Sequence, residues 1–389
     1  MESTTAINLE DLRRDWLFGL SGEDIYREVL EFRSSLEGRD SEYIIREEEP
    51  HSFTRKFFAS VSLGLPTVLA SPKWRGREEE QFIQLMALAK PKPGTILIPT
   101  GGTTGGVKLA IHDWESLSAG ARATQAFLGG GAIHSCCVLP LHHVSGLMQL
   151  VRSFVSGGTI RFDEDKVKGS CLSLVPTQLK RLMETEDGIH KLNTAEVVFV
   201  GGAAMPAQVT RQARELMLPV VPVYGMTETA AMVAAIPQAD FLDSEGAGAL
   251  PLGDAQITVD PDGAIRIRSS ALFKGYHGGE CIDLSEGYRT GDAGWLNEDG
   301  RLFLMGRMDA LINTGGEKVD PAEVREALLQ LDGISGARVV GEPDEEWGEI
   351  VVAYLCMAKG KQVVEAQLRE ALKQYLSPHK IPKRVEWQS

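Results

Sequence analysis

The sequence predicts an α/β protein with a large N-terminal domain and a small α+β domain at its C terminus. The length of 389 residues suits two domains of unequal size. Several short apolar runs end in turns marked by glycine or proline, which is typical of strands in an α/β sheet. Residues 310–389 differ, because in their last part, residues 337–389, two apolar runs precede a helical pattern. They therefore indicate a compact α+β unit of their own.

Composition and charge exclude several classes of protein. A net charge of −14 without any block of lysine and arginine argues against a nucleic-acid surface or a polybasic membrane patch. No apolar run reaches the length of a membrane span, and the acidic residues 1–9 do not resemble a secretory signal. The five scattered cysteines fit neither a disulfide framework nor a zinc site. We therefore expect a reducing, cytoplasmic compartment.

The first 94 residues carry no recognisable chemistry and are expected to form a scaffold layer. Ser21 begins a helix-cap pattern, and apolar residues follow it at helical spacing. The Lys-Pro-Lys-Pro-Gly sequence at residues 90–94 then predicts a turn before the next strand.

The segment Thr95–Lys108, TILIPTGGTTGGVK, is the central feature of the chain. Its alternating isoleucines predict a buried strand, which Pro99 is expected to end because proline cannot donate to a ladder. Residues 100–106 then contain four glycines and three threonines. In such a loop, main-chain N–H groups can surround an anion, and threonine hydroxyls can bind phosphate oxygens or a metal ion. Lys108 adds a positive charge just beyond the loop.

A flexible glycine linker is the alternative interpretation of this loop. A linker would not usually follow an apolar strand directly, nor mix threonine with glycine so regularly. The loop fits neither the Walker pattern nor the dinucleotide-binding fingerprint. The interpretation as a phosphate-binding loop therefore depends on the segments downstream.

A second candidate site follows residues 116–127, which predict a helix, and the apolar run 132–139, which predicts an interior strand. In open α/β folds, residues just past a strand's carboxyl end line the ligand crevice. His142 and His143 lie there and are candidate site residues. A lone histidine is more often a satisfied core residue, and this interpretation stays open for one of the pair.

Two further strands end in turns that suit a nucleotide. Val197–Val200 is followed by two glycines, which would let a planar ring approach the main chain, although an ordinary strand-to-helix turn is the alternative. Val220–Val223 leads into YGMTET, in which Tyr224 can stack on a purine and Thr227 can donate to a phosphate. Glu228 in this segment is a hard oxygen ligand suited to Mg²⁺. A helix cap at Thr227 would not explain the tyrosine and the glycine together.

The last third of the chain adds two residues suited to a ribose. Asp292 lies in a glycine-flanked turn, where its carboxylate can accept from two hydroxyl groups, and Arg307 can pair with ribose or phosphate oxygens. Between them, residues 297–300 predict a hairpin turn. Pro321 predicts the first turn of a helix.

Together these segments resemble the signature segments of the acyl-adenylate-forming superfamily, the acyl-CoA synthetases and their relatives. The matching segments are TGGTTGGVK at 100–108, PLHHVSG at 140–146, YGMTE at 224–228 and TGD at 290–292. In the first segment, Gly101 stands where the family has serine and Val107 where it has proline. The likeness extends over nearly all of residues 95–388.

The resemblance implies a large multi-sheet N-terminal domain, residues 1–308, and a small mobile lid, residues 309–389, that turns on Asp309. It implies catalytic roles for Thr104, His143 and Glu228, with Glu228 also holding the metal ion. The implied nucleotide-binding residues are Thr100, Gly101, Gly102, Thr103, Thr104, Gly105, Lys108, Gly202, Ala203, Ala204, Tyr224, Gly225, Met226, Thr227, Asp292 and Arg307. The implied contacts to the acid are His143, Ser145 and Gly225, and those to CoA are Gly315 and Gly316.

The function implied by this resemblance is that of an ATP-dependent acid–CoA ligase that uses Mg²⁺. A carboxylic acid and ATP would give an acyl-AMP and pyrophosphate, and the thiol of CoA would then attack the acyl carbon. ATP, CoA and a small carboxylic acid are therefore the expected partners, without nucleic acid or a membrane span. The oligomeric state stays open, and a homo-oligomer is compatible with the sequence.

A finer likeness concerns the residues after the loop. The pattern TGGTTGGxKxAIHxWE at 100–115 resembles that of the o-succinylbenzoate–CoA ligases of menaquinone and phylloquinone synthesis. This resemblance implies that 2-succinylbenzoate is converted to 2-succinylbenzoyl-CoA. A ligase for another small aromatic or short-chain acid and an inactive adenylate-binding module are the alternatives. Arg152 and Arg122 are candidate partners for the second carboxylate.

The C-terminal end departs from the family's pattern. The family's lid normally continues into a P-x-x-x-x-G-K loop, whose lysine contacts the reacting carboxylate, whereas this chain stops at Ser389. We expect a truncated form, because the strand that begins at residues 385–387 is cut short. Another residue that takes the place of this lysine is the alternative. A truncated form is expected to adenylate poorly while still binding nucleotide.

Overall fold

The computed structural model describes residues 7–101, 106–163, 165–243, 246–279, 281–359, 361 and 363–388. Its helices are α1 (Gly22–Leu36), α2 (Pro50–Ser62), α3 (Arg77–Leu88), α4 (Trp114–Phe127), α5 (Val144–Ser156), α6 (Pro176–Met183), α7 (Glu186–Thr194), α8 (Ala207–Glu215), α9 (Gln238–Asp243), α10 (Pro321–Leu329) and α11 (Glu365–Leu372). Its strands are β1 (Tyr43–Ile45), β2 (Thr67–Leu69), β3 (Ile96–Gly101), β4 (Val107–His112), β5 (Ser135–Cys136), β6 (Ile160–Arg161), β7 (Cys171–Leu174), β8 (Val197–Val200), β9 (Val220–Met226), β10 (Ala231–Ala235), β11 (Leu250–Pro251), β12 (Gln256–Val259), β13 (Ala264–Arg268), β14 (Tyr288–Leu296), β15 (Leu302–Arg307), β16 (Ile312–Thr314), β17 (Glu317–Val319), β18 (Ile334–Asp344), β19 (Gly348–Met357) and β20 (Arg384–Gln388).

The described residues form two compact units. The first unit comprises the described residues of Met1–Ile257, Ile267–Tyr288 and Glu298–Leu302. The second comprises those of Thr258–Arg266, Arg289–Asn297 and Phe303–Ser389. The mixed α/β architecture with several sheets is the one that the sequence predicts. The predicted domain boundary between residues 308 and 309 stays a prediction. No helix among the described residues is both long enough and apolar enough to cross a membrane.

The first unit contains two sheets. One has the order β1-β2-β3-β4, in which β4 alone runs antiparallel to its neighbour. The other has the order β11-β10-β9-β8-β7-β5-β6, and its strands from β9 to β6 are parallel. The strand order reverses at β5, since β6 lies on one side of it and β7 on the other. Ligands bind at such switch points in open α/β sheets, beyond the carboxyl ends of the strands.

Pro99 does not end β3, which corrects the sequence-based prediction. Strand β3 continues to Gly101, and Pro99 pairs with Leu109 of β4. The physical reason lies on the other side of the strand, where β2 pairs only with Ile96 and Leu97. Pro99 is therefore beyond the two-sided part of β3, where a missing donor costs little.

The predicted strand over residues 132–139 is also shorter than expected. Only Ser135–Cys136 forms a strand, and the N–H of Cys137 makes the last ladder-like bond, to the carbonyl of Arg161 at 2.8 Å. After Cys136, the apolar residues Cys137, Val138 and Leu139 line a cavity instead of extending the strand. Ile133, which precedes the strand, packs in the buried core.

Helix α5 is anchored in the aromatic core of the first unit. Trp16 packs edge-on against Phe58 of α2 and Phe154 of α5, with ring centroids 5.5 and 5.2 Å apart. Such contacts add to the stabilisation that burial itself provides. They hold in place a helix whose N-terminal end carries the histidine pair.

The second unit contains most of the sheet β12-β13-β14-β15 and the sheet β17-β16-β19-β18, to which β20 adds in parallel against β19. Helices α10 and α11 cover the latter sheet with apolar side chains such as Val324, Leu328 and Leu368. The predicted turn at residues 297–300 lies between the neighbouring strands β14 and β15. The helix predicted from Pro321 is α10.

Candidate active site

The glycine- and threonine-rich loop joins two antiparallel strands. Thr100 pairs with Lys108 and Gly101 pairs with Val107, so the loop closes a β-hairpin rather than a strand-to-helix turn. The predicted site residues Gly102, Thr103, Thr104 and Gly105 lie outside the described residues. The N–H of Val107 donates to the side chain of Gln81 on α3 at 3.1 Å, which fixes one end of the loop.

A segment that the sequence analysis did not single out, residues 273–277, runs beside β4. The N–H of Ile111 donates to the carbonyl of Gly275 at 2.9 Å, and the N–H of His277 donates to the carbonyl of Leu109 at 2.9 Å. Since β3 occupies the other side of β4, this segment satisfies hydrogen-bonding groups that an edge strand would expose. It also brings an aromatic side chain to the base of the hairpin.

Tyr276 of this segment connects the hairpin to Glu228. The ammonium group of the exposed Lys108 lies 5.5 Å from the centre of the Tyr276 ring, within the range of a cation–π contact. The Tyr276 hydroxyl donates to Oε1 of Glu228, and the N–H of Phe273 donates to the carbonyl of Glu228 at 2.9 Å. Burial and the neighbouring Glu228 carboxylate hold the pKa of Tyr276 well above its usual range, so its hydroxyl stays protonated. The structure thus brings together two predicted site residues, Lys108 and Glu228.

His112, at the end of β4, holds the main chain of the same turn. Its Nε2 lies 2.8 Å from the carbonyl oxygen of Thr227, and its Nδ1 lies 2.9 Å from the hydroxyl of Ser116. Because a carbonyl oxygen can only accept, Nε2 carries the proton and Nδ1 accepts from the serine. Burial lowers the pKa of His112 to about 4, so the ring is neutral near pH 7.

The turn that carries Thr227 and Glu228 begins directly after β9. A Cβ on Gly225 would lie 1.8 Å from the carbonyl oxygen of Ala231, so only glycine fits where β10 passes this close. That contact is the structural reason for Gly225, and its predicted contacts to the acid and the nucleotide stay predictions. Tyr224 is mostly buried, with 8% of its surface exposed, and its stacking on a purine also stays a prediction.

The predicted adenine corner follows β8, the parallel neighbour of β9. Gly202 adopts a left-handed backbone with φ of 82°, which favours glycine. The exposed residues Gly202, Ala203 and Ala204 lie just past the carboxyl end of β8, as the crevice of an open α/β sheet requires. Their contact with a base stays a prediction.

The two histidines differ in their surroundings. His143 is the N-cap residue of α5 and is exposed, whereas His142 is 5% exposed, and their ring centres are 4.5 Å apart. Burial lowers the pKa of both, that of His142 to about 4 with a further contribution from His143 and Lys73. Both rings are therefore neutral near pH 7 and can donate or accept hydrogen bonds. Ser145, another predicted contact to the acid, lies in the first turn of α5.

A cavity of about 600 Å³ opens beside these histidines. Its walls come from the carboxyl ends of β1, β2, β5 and β6, and they include Glu48, Lys73 and Phe162. The volume is within the range of small-molecule sites in proteins.

Arg152, one of the two arginine candidates, is fully enclosed by the first unit. It is 3% exposed, and its Nε donates to the carbonyl of Met148 at 2.8 Å while its guanidinium lies over the ring of Phe199. Burial lowers its pKa to about 10, so it stays charged near pH 7. Within the described part of the chain, no carboxylate pairs with it. The other candidate, Arg122, is exposed on α4.

In the second unit, the structure groups the predicted ribose and hinge residues. The guanidinium of Arg307 lies 3.4 Å from Oδ1 of Asp292 and 3.1 Å from Oδ1 of Asp309. These carboxylates raise the pKa of Arg307. A Cβ on Gly291 would lie 2.4 Å from the Arg307 guanidinium, so a larger residue before Asp292 would displace this side chain. That Asp292 shares a cleft with Thr100 and Glu228 stays a prediction.

The predicted CoA contacts, Gly315 and Gly316, form the turn between β16 and β17 with φ of 60° and 86°. A Cβ on Gly315 would lie 2.6 Å from the ring of Trp347, and its N–H donates to the carbonyl of Trp347 at 2.8 Å. These contacts account for the two glycines within the fold. The contact with CoA stays a prediction.

A bound divalent metal would depend on Glu228 in this arrangement. Among the described residues, no three or more histidine, cysteine, aspartate or glutamate side chains are arranged to hold a metal ion. Mg²⁺ commonly binds through one or two carboxylates together with substrate phosphates, and a single glutamate beside a phosphate-binding loop fits that pattern.

Sequence reasoning missed Tyr276 and did not assign a role to His112. A signal for His112 was its position on a strand whose other inner residues are apolar, since a buried histidine needs hydrogen-bond partners. Tyr276 lies in the sequence Phe-Lys-Gly-Tyr, whose glycine marks a backbone turn but gives no indication of a partner 48 residues away.

Two family models match the chain. That of AMP-binding enzymes matches residues 45–277, and that of the AMP-binding enzyme C-terminal domain matches residues 323–389. Among curated relatives, the 2-succinylbenzoate–CoA ligase of Listeria monocytogenes is 32% identical over 302 residues, and that of Enterococcus faecalis is 33% identical over 312. Each comparison covers 74% of this chain and 64% of the relative, so the chain spans less than two thirds of their length.

Solved structures show the same fold. The o-succinylbenzoate CoA synthetase of Bacillus subtilis, in complex with its acyl-adenylate intermediate, has a TM-score of 0.75 at 23% identity and covers 95% of this chain and 90% of its own. The unliganded form of that protein has a TM-score of 0.78 at 20% identity and covers 98% of both chains. They confirm the predicted α/β fold with a C-terminal domain.

Proposed function

Because the chain belongs to the family of AMP-binding enzymes, we propose that it is an ATP-dependent acid–CoA ligase that acts in the cytoplasm through an acyl-AMP intermediate. The observation that carries the proposal is the group formed by Lys108, Tyr276 and Glu228 at the base of the glycine- and threonine-rich hairpin. A cation and a carboxylate near the base of this hairpin support the proposal that its loop binds phosphates. The resemblance predicted from the sequence is confirmed by the family match.

We propose 2-succinylbenzoate as the acid. The relatives from Listeria and Enterococcus are both named for this substrate. A buried arginine without a carboxylate partner among the described residues also suits an acid with a second carboxylate, because an unpaired buried charge is unfavourable. Arg152 is therefore the proposed partner of the succinyl carboxylate.

The position of Arg152 on α5 agrees with the size of this acid. Its Nε donates to the carbonyl of Met148, which precedes it by four positions on α5, so the side chain extends towards the N-terminal end of the helix. Met148 lies five positions after His143, which is about 7.5 Å along a helix axis. A benzoate carboxylate near His143 and a succinyl carboxylate at Arg152 would span a separation of this order.

In the proposed first step, an oxygen of the benzoate carboxylate attacks the α-phosphorus of ATP and pyrophosphate leaves. The main chain of the loop and Lys108 would bind the phosphates, and Glu228 would hold Mg²⁺, which supplies positive charge to the leaving phosphates. Neutral His143 would orient the reacting carboxylate. Asp292 and Arg307 are proposed to bind the ribose.

In the second step, the thiol of CoA attacks the acyl carbon, and AMP leaves with the electrons of the acyl–oxygen bond. Gly315 and Gly316 are the proposed contacts to CoA, and Asp309 is the proposed hinge. A conformational step between two half-reactions would let one pocket serve both.

The proposal is tested by mass spectrometry of the protein incubated with ATP, Mg²⁺ and 2-succinylbenzoate. The expected products are acyl-AMP and, once CoA is added, 2-succinylbenzoyl-CoA. The matched control acid is 2-butyrylbenzoate, in which a methyl group replaces the second carboxylate, and it should react at least ten times more slowly. Equal rates with both acids would exclude the specific substrate. Binding of ATP without acyl-AMP from any small aromatic or short-chain acid would indicate an inactive adenylate-binding module.

A further inference from the structure

The Glu228 carboxylate has unusually few partners for its degree of burial. The residue is 6% exposed, and among the described residues its side chain has one hydrogen bond, the one that Tyr276 donates to Oε1. No lysine, arginine or histidine among the described residues forms an ion pair with the Glu228 carboxylate. Burying a carboxylate with a single neutral donor is unfavourable unless a further partner is supplied. The second oxygen, Oε2, has no hydrogen-bond partner among the described residues and is therefore available to a ligand.

The side chain of Tyr276, which donates this hydrogen bond, is held in place by its neighbours. Its ring packs edge-on against Phe273 with centroids 5.0 Å apart, and its segment is bonded to β4 through the main chain. Its hydroxyl also lies 3.2 Å from that of Tyr288. Because the single proton of Tyr276 is committed to the carboxylate, Tyr288 is the donor of this second bond. The hydroxyl groups thus form a chain that runs from Tyr288 through Tyr276 to Glu228.

A neutral donor has a particular consequence for metal binding. A lysine or arginine in this place would orient the carboxylate but would also cancel much of its charge. The phenol fixes one oxygen and leaves the negative charge in place, and the nearby cation, Lys108, lies over the Tyr276 ring rather than on the carboxylate. Carboxylates that bind metal ions are commonly oriented by such hydrogen bonds, whose loss weakens metal binding by about 10- to 100-fold.

We propose that Tyr276 is a positioning residue, which holds Oε1 of Glu228 so that Oε2 faces the divalent cation that accompanies ATP. This inference rests on the proposed function, because it assigns a role within the same site. It adds a residue from outside the motif segments, and it makes the contribution of Tyr276 specific to the cation rather than to ATP itself.

The test compares Y276F with Y288F by titration calorimetry with a non-hydrolysable ATP analogue, with Mg²⁺ or with a chelator. Y276F removes only the hydroxyl that touches Glu228, and Y288F is the matched control because its hydroxyl touches Tyr276 but not the carboxylate. In Mg²⁺, we expect Y276F to bind the analogue about 10-fold more weakly and to need more Mg²⁺ for half-maximal binding. In chelator, its affinity should stay within about twofold of the original protein, and Y288F should stay within about threefold under both conditions.

Further outcomes separate the inference from the proposed function. An original protein that binds no analogue with Mg²⁺ would overturn both. Equal weakening of Y276F with and without Mg²⁺, or equal effects of Y276F and Y288F, would overturn only the role of Tyr276. In a protein that already carries E228Q, adding Y276F should cause no further loss. If Y276F does not fold, Y276H supplies a ring with an N–H donor, and it should retain Mg²⁺-dependent binding; loss of that dependence in a folded Y276H protein contradicts the inference.

Discussion

His112 shows how one buried side chain can link parts of the site that are distant in sequence. It lies on β4 and bonds to the carbonyl of Thr227, 115 residues further along the chain. Its other nitrogen bonds to Ser116 in the first turn of α4. Strand β4, helix α4 and the turn that carries Thr227 and Glu228 therefore meet at one neutral imidazole. Burial favours the neutral ring by lowering the pKa of His112, and in that form Nδ1 accepts from Ser116.

Acidification is expected to destabilise the protein through this residue. The pKa of His112 falls from its ordinary value of 6.5 to about 4 on folding, so the unfolded chain binds more protons between these pH values. The stabilisation that neutral His112 provides is therefore complete above about pH 6.5 and is lost as the pH falls towards 4. Over this range the free energy of unfolding should change by up to about 1.4 kcal/mol per pH unit. Urea unfolding from pH 7.5 to 4.5 measures this slope.

The matched variants for this pH dependence are H112L and H134L. His134 is exposed and its side chain hydrogen-bonds to Thr159, so H134L is the control for the loss of a surface histidine. H112L should unfold more easily at pH 7, by about 1–3 kcal/mol, because the carbonyl of Thr227 loses its donor. It should also show a shallower pH dependence. An identical slope in H112L and the original protein would contradict the assignment.

Arg152 gives a second expectation at the scale of one residue. R152M should raise the KM for 2-succinylbenzoate by about 100-fold, because a buried charge-assisted contact of about 2–3 kcal/mol is lost, while ATP binding should remain. R122M is the matched control, since Arg122 is exposed on α4. Steady-state kinetics with both acids make the comparison. Equal KM values for R152M and R122M would remove Arg152 from the site.

At the scale of the elements, the close antiparallel pairing of β9 and β10 depends on one glycine. A methyl group at Gly225 would lie 1.8 Å from the carbonyl oxygen of Ala231, which belongs to the main chain and cannot rotate away. We expect G225A to lower the free energy of unfolding by at least about 2 kcal/mol. G131A is the control, because no atom lies within 4 Å of a Cβ built there, and it should change stability by at most about 0.5 kcal/mol. Urea unfolding measures the change in the free energy of unfolding for both variants. Similar changes in G225A and G131A would contradict this explanation of Gly225.

Elements with strong local signals could be predicted from the sequence, and elements set by distant partners could not. The cap at Ser21 is confirmed, since its hydroxyl accepts from the N–H of Asp24 at 3.1 Å at the start of α1. The end of β3 predicted at Pro99 was wrong, because whether a strand accommodates proline depends on how far the neighbouring strand, here β2, extends beside it. No local pattern contains that information. Residues 273–277 were missed for the same reason, as their partner is another strand edge rather than a neighbouring residue.

At the scale of the whole molecule, the sequence indicated the family through a few motif segments, and the family match confirms it. The same segments placed Lys108 and Glu228 in one site, and the structure brings both to Tyr276. The residues that contact this site from other segments could not be predicted, because Tyr276 and His112 make contacts that form only in the folded chain. Long-range contacts of neutral side chains leave no periodic trace in a sequence.

The five cysteines give an expectation for the whole folded chain. Cys136, Cys137 and Cys171 are buried, and burial raises the pKa of Cys137 and Cys171 to about 12, whereas Cys281 is exposed. A thiol reagent such as Ellman's should therefore modify Cys281 first in the native protein and reach the buried thiols only after unfolding in urea. Mass spectrometry of the modified peptides identifies each site. Rapid labelling of Cys137 in the native protein would contradict the burial of this residue.

In the hairpin of β3 and β4, the length of the connecting loop and the register of the two strands are independent properties. Extra residues inserted between 102 and 106 would change the loop but leave β3 and β4 aligned, because the paired residues on both sides set that alignment. A slip of β4 by a single residue would instead turn Lys108 and His112 to the opposite face at the same time, since side chains alternate along a strand. The loop can therefore be lengthened without a change of register, whereas the stem formed by β3 and β4 tolerates no shift.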